Sequence, residues 1–138
     1  MDVSTLPYDA TVLARIRAWR DAGGQTALVT ASDHSLARAI GDHLGLFDMV
    51  QGSQEGLNLK GHRKTAYLDS RFGPKAYAYM GDAAADLPVW AGADQVITLN
   101  ASPALRRKVS QITPTPEHLT SALPRWPAIL AALRLHQW

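Results

Sequence analysis

No cysteine occurs in the 138 residues, which excludes disulfides, zinc–thiolate sites and thiol catalysis. No run approaches the roughly 18 consecutive apolar residues of a membrane span. The N-terminus has neither a basic segment nor an apolar signal core. The sequence therefore reads as a soluble domain, and a reducing cytoplasm suits it. A glycine-rich phosphate loop ending in Gly-Lys-Ser/Thr is absent. The histidines His34, His43, His62, His118 and His136 show no metal-ligand spacing, and Ser32, Ser35 and Ser53 lack the context of a nucleophile elbow. Acids are scarce late in the chain: from Gln95 onward Arg106, Arg107, Lys108, Arg125 and Arg134 face only Glu117. These bases form no aromatic-interleaved cluster, so nucleic acid is not an expected partner. A solvated face and a face turned to anionic lipid are the readings that remain.

What is present is an ordinary globular balance, 46% hydrophobic and 19% charged, enough for one core. Asp9 is placed to cap a helix running to about Ala22, with Val12, Leu13, Ile16 and Trp19 on its apolar face. Thr26 to Thr30 is a short strand run without polar alternation, as expected of a parallel strand covered on both faces. A helix from the Ser32-Asp33 turn to Leu44, a strand Phe47 to Val50 and a polar loop Gln51 to Leu59 follow. A helix Lys60 to Phe72, a strand Ala76 to Met80, a short helix ending at Trp90 and a strand Val96 to Leu99 come next. Pro103 opens a last short helix, and Val109 to Ile112 reads as an edge strand. This alternation predicts an α/β sandwich around a parallel sheet. Right-handed crossovers then bring Thr30 and Asp82 to the same end of it.

The candidate residues lie at those strand ends. In Gly81-Asp82-Ala83-Ala84-Ala85-Asp86, two carboxylates follow a buried strand, where a hard cation can sit beside a phosphate. Asp82 as a helix cap and Asp86 as a solvated first-turn acid is the equally plain structural reading. Thr30 precedes a helix start, where free amides favour an anion. Its hydroxyl serves either a phosphate oxygen or a local carbonyl, and Asp33 competes for the same amides. Lys60 stands at a helix start, against the helix dipole, which an anionic ligand would explain. Lys64, one turn on, is its competitor, and both also read as solvated surface.

In this order and at these separations, Thr30, Lys60-Gly61 and Gly81-Asp82-x-x-x-Asp86 resemble the haloacid dehalogenase (HAD) superfamily of Mg²⁺-dependent phosphohydrolases, and within it the phosphoserine-phosphatase-like branch. The resemblance covers about residues 26 to 110. It implies a three-layer Rossmann-like parallel sheet. It implies further that Thr30 binds phosphoryl oxygens, Lys60 neutralises phosphate and nucleophile, Asp82 ligates Mg²⁺, and Asp86 orients the site or shares the metal. Members of that superfamily begin with a strand ending in Asp-x-Asp-x-Thr, whose first Asp attacks phosphorus. These 138 residues contain no such motif; Asp2-Val3-Ser4-Thr5 is the nearest string. The first, central strand is thus missing, and the chain is expected to be inactive by itself.

Thr5-Leu6-Pro7-Tyr8-Asp9 and Leu28-Val29-Thr30-Ala31-Ser32-Asp33 also resemble the HAD-like domain fused to UbiA-type polyprenyl prenyltransferases. On that basis residues 1–122 form a truncated HAD-like domain. Residues 123–138, with Trp126, Ile129, Leu130 and Leu133 as a stripe, form an amphipathic helix or the start of a linker to a membrane domain. The implied ligand is a phosphorylated small molecule, a prenyl or a sugar phosphate, and the implied place is the inner face of the membrane. One alternative is non-enzymatic: a phosphate-ligand-binding or accessory module. Two strand edges left open by a missing central strand require closure. The flanking strands can pair directly, or another segment or a second copy of the chain can add a strand; direct pairing or self-association is the favoured expectation, ahead of an open slot.

Overall fold

The computed structural model describes residues 3–5, 8–60, 62–121 and 133–136. A 3₁₀ turn (Val3–Thr5) precedes α1 (Ala10–Asp21), β1 (Gln25–Asp33), α2 (His34–Leu44), β2 (Met49–Ser53), α3 (His62–Phe72) and β3 (Ala78–Gly81). A second 3₁₀ turn (Ala84–Asp86) runs into α4 (Leu87–Ala91), followed by β4 (Gln95–Leu99), α5 (Pro103–Ile112), β5 (Glu117–Leu119) and β6 (Leu133–His136).

The six strands form one sheet in the order β2-β1-β6-β3-β4-β5. Pairings β1–β2, β3–β4 and β4–β5 are parallel. Side chains alternate between two cores, as period-two geometry requires. Leu28, Met80 and Ile97 pack against Val12, Ile16 and Trp19 of α1 and Ala37 and Ile40 of α2. Ala27, Val29, Tyr79 and Val96 face Leu68 of α3, Trp90 of α4 and Leu105 and Val109 of α5. The result is the expected three-layer α/β sandwich. Asp9 caps α1 by accepting from the amides of Thr11 (2.8 Å) and Val12 (3.2 Å). Arg15 holds Glu117 in a two-pronged pair at 2.6 and 3.1 Å, tying α1 to the edge strand β5. The lone acid of the last third therefore has a structural task.

The centre of the sheet departs from expectation. β1 and β3 do not close on each other; β6 lies between them, antiparallel to both. Four residues from the end of the chain give the two inner edges their partners, so self-association is not required to satisfy them. Leu133–His136 is also strand, not helix, as two buried edges offer more backbone hydrogen bonds than a helix end. The remainder of the expected C-terminal helix, with Trp126, Ile129 and Leu130, lies outside the described residues, as does Asp2.

Two further readings are corrected. Val109–Ile112 is the last turn of α5, where Ser102 caps the start and Pro103 occupies the first turn. The stripe Leu105, Val109 and Ile112 turned to the core outweighs the local β preference of Val and Ile. β2 runs through Ser53 into the expected loop, and this depends on Gly52. A Cβ there would sit 2.5 Å from the Cα of His34, so only glycine lets β2 pass the start of α2 so closely.

Candidate functional site

β1 and β3 are each antiparallel to β6, hence parallel to one another, and Leu28, Leu133 and Met80 form one row across the three strands. Two residues beyond that row the chain reaches Thr30 on one side and Asp82 on the other. With neighbouring strands about 4.8 Å apart, roughly 10 Å separates these positions at the sheet's C-terminal edge, the width of one strand. Thr30 is buried, and its Oγ1 accepts from the Ser32 amide at 3.2 Å, which leaves its hydroxyl proton for another acceptor. Asp33 caps α2 through the amides of Ser35 and Leu36, so the anion-favouring amides there are taken by the protein's own carboxylate.

The loop after β3 is built around Asp86. One carboxylate oxygen, Oδ2, accepts from the amides of Asp82 (3.0 Å) and Ala83 (3.1 Å). The other, Oδ1, accepts from the Tyr79 hydroxyl at 3.0 Å. Asp86 is buried. Although sequence grouped it with Asp82 for metal binding, its oxygens are engaged in shaping the turn. Asp82, half-buried, sits on a turn fixed by Asp86 and lines a cleft. Behind it, Trp90 Nε1 donates to the Tyr79 carbonyl at 3.1 Å and its ring meets Tyr79 edge-on, so the wall carrying the turn is rigidly packed.

Lys64 lies within the field of this pair. Its Nζ is 3.5 Å from the Tyr79 hydroxyl and 6.0 Å from the centre of that ring. Burial pushes the Lys64 ammonium below its ordinary value, against the pull of Asp86 and Asp82. Burial and the Asp86 charge push the Asp82 carboxyl up, against its backbone hydrogen bond and Lys64. Burial, reinforced by the Asp86 and Asp82 charges, also raises the Tyr79 phenol. A lysine and a carboxylate both displaced toward neutrality are a charge cluster not fully satisfied from within, a pattern typical of ligand sites. Lys60, by contrast, is exposed and lines a cleft with Ala31 and Asp33, on the β1 side. Of the two lysines weighed in sequence, Lys64 is the one that acts on the carboxylates. Its signal was periodicity: it precedes the buried Leu68 by one helical turn and shares its inward stripe.

On the β4 side a cleft of about 290 Å³ flanks Asp82, with Asn100, Ser102 and Lys108 in its wall. Among the described residues no three His, Asp or Glu side chains come together as a metal cage. Mg²⁺ is usually held by one or two carboxylates with phosphate oxygens and waters completing an octahedron. Asp82 can offer one carboxylate and both oxygens of Asp86 are engaged in hydrogen bonds, so the described residues do not form a Mg²⁺ site unaided. Nor is any helix among the described residues long and apolar enough to cross a membrane.

Comparison with known proteins agrees with this geometry. A family model described as haloacid dehalogenase-like hydrolase matches residues 3–90. An uncharacterized protein, y4nM, of Sinorhizobium fredii is 38% identical over 143 aligned residues that take in all of this chain. The chain spans only 27% of that relative's length. No solved structure matches the chain.

Proposed function

Because the chain belongs to the haloacid dehalogenase-like hydrolases, we propose that the sheet edge between Thr30 and Asp82 is the phosphoryl-binding site of a phosphatase domain, one that does not turn over substrate as these 138 residues alone. Thr30 donates its hydroxyl to a phosphoryl oxygen. Lys60 approaches the phosphate from the β1 side, and Lys64 balances the charge beside Asp82. Asp86 orients the Asp82 turn. Mg²⁺ joins only where a further carboxylate and the phosphate complete what Asp82 begins, so the described residues bind and orient. The attack on phosphorus needs a nucleophile that the family places in Asp-x-Asp-x-Thr, and no such string occurs in the sequence. The observation carrying this reading is that Thr30 and Asp82, distant in sequence, stand one strand's width apart at the same sheet edge, with the charge of the half-buried Lys64 acting on Asp82.

A second reading is favoured by length. Since the chain covers about a quarter of its relative, the same site can serve as a phosphate-ligand-binding or accessory module of a larger protein. A fused or neighbouring UbiA-type prenyltransferase at the inner membrane face belongs to this reading and rests on sequence resemblance. Assignment to the phosphoserine-phosphatase-like branch rests likewise on the spacing of Thr30, Lys60 and Asp82.

Incubation with p-nitrophenyl phosphate and Mg²⁺ tests the proposal, alongside binding of inorganic phosphate measured by calorimetry. Binding without hydrolysis is expected, and binding should weaken in Lys64→Met. Turnover that vanishes in Asp82→Ala would mean that another nucleophile operates. No phosphate binding at all would remove the site.

A further inference from the structure

We infer that the cleft beside Thr30 takes the alcohol portion of a phosphomonoester, and that this alcohol is polyhydroxylated rather than an isoprenoid chain. The inference rests on the phosphoryl-site reading above and narrows its substrate class. The cleft holds about 410 Å³, runs from Ala31, the residue after Thr30, to the turn following β2, and has Lys60 in its wall. A volume of this size suits a small metabolite.

The chemistry of the wall favours hydroxyls. Ser53, Gln54, Glu55, Asn58 and Lys60 contribute polar groups, and only Ala31 and Leu57 are apolar. Several of these groups have spare bonding capacity. The Ser53 Oγ accepts from the Leu59 amide at 3.0 Å and retains its proton to donate. The Asn58 Oδ1 accepts from the Lys60 amide at 3.0 Å, which leaves its NH₂ group. Glu55 and Lys60 share the cleft with opposite charges, yet no ion pair joins them among the described residues. The other acid, Asp33, caps α2 with its Oδ2. The Glu55 carboxylate, with amide and hydroxyl donors beside it, matches adjacent hydroxyls, which donate to the carboxylate and accept from the amide. An isoprenoid chain entering here would strip water from these groups and return no hydrogen bonds.

The wall is also fixed before any ligand arrives. Gln54 and Leu57 exchange two backbone hydrogen bonds of 2.9 Å, holding Glu55-Gly56 at the tip of a tight turn. Gly56 has φ 80°, a conformation that glycine adopts without strain. Leu59, fully buried, anchors the far end. Little ordering is then left for binding to accomplish.

Calorimetric titration of the 138-residue chain with inorganic phosphate, glucose 6-phosphate, O-phosphoethanolamine and isopentenyl phosphate tests this. Glucose 6-phosphate is expected to bind about tenfold more tightly than isopentenyl phosphate, the worth of one hydrogen bond to a charged group. Glu55→Ala should cut that ratio several-fold; the ratio is insensitive to any change in folded fraction. Equal or tighter binding of isopentenyl phosphate, a ratio unmoved by Glu55→Ala, or a preference for the amine overturns the inference while phosphate binding survives. If no phosphate compound binds, inorganic phosphate included, both the inference and the reading beneath it fall.

Discussion

The Cα of Gly81 and the carboxylate of Asp86 are packed so closely that a Cβ at position 81 would lie 2.5 Å from Oδ2 and 2.7 Å from the carboxyl carbon. Glycine precedes Asp82 here because of this contact and not because of a left-handed backbone; Gly81 is absent from the positive-φ glycines. Gly81→Ala should therefore displace the very oxygen that holds the amides of Asp82 and Ala83. A loss of about 1–3 kcal/mol in urea unfolding is expected, together with weaker phosphate binding. Wild-type affinity in a folded Gly81→Ala protein would show that the Asp82 turn does not depend on Asp86.

Removing the carboxylate itself should be more damaging. Asp86→Ala leaves two amides and the buried Tyr79 hydroxyl without their acceptor, at an expected cost of about 2–4 kcal/mol. Asp86→Asn retains one oxygen and should recover part of that loss. Equal stability of the two variants in denaturant melts would mean that the hydrogen bonds to Asp86 contribute nothing.

Asp82 should show the opposite sign. Its folded pKa is raised above 3.8, so between 3.8 and the folded value the native state holds the proton more tightly than the unfolded chain. Stability falls as pH rises through that window, and at neutral pH the ionised carboxylate is a net burden. Asp82→Asn is expected to be more stable than wild type at neutral pH, with the advantage gone below 3.8. A variant less stable at neutral pH would show that Asp82 is structural.

Lys64 carries a matching signature at the alkaline end. A folded pKa lowered from 10.5 means that the unfolded chain binds the proton more tightly. Native stability therefore gains as pH rises from the lowered value toward 10.5. Lys64→Met should be the more stable protein at neutral pH and should lose this rise, as read by subtracting the two stability profiles. Parallel profiles would mean that Lys64 is not desolvated.

Deleting Leu133–Trp138 removes β6 and exposes the inner edges of β1 and β3. Hydrogen exchange at Leu28 and Met80 should accelerate, and sedimentation should show association, since unpaired edges recruit other strands. A monomer with both residues still protected would mean that β1 and β3 pair directly once β6 is gone.

Most of the layer architecture was legible in the sequence because it depends on local signals. Apolar runs without alternation marked β1, β3 and β4 as strands buried on both faces. The cap Asp9 and the opening Pro103 bounded helices through chemistry contained in a few neighbouring residues. The order of motifs around Thr30, Lys60 and Asp82 identified the family, and parallel crossovers put Thr30 and Asp82 on one sheet edge. Long-range competition decided the rest. β6 fills the centre because two buried edges demand partners; the alternation Leu-Arg-Leu-His suits a strand, but only β1 and β3 decide where it pairs. Val109–Ile112 joined α5 because the core below it claims Val109 and Ile112. The site was sorted the same way: the spacing made Asp82 and Asp86 look alike and favoured Lys60. Only the packed loop, with Gly81 beneath Asp86 and Lys64 next to the Tyr79 hydroxyl, gave Asp86 the turn to hold and left the Asp82 carboxylate outside those hydrogen bonds.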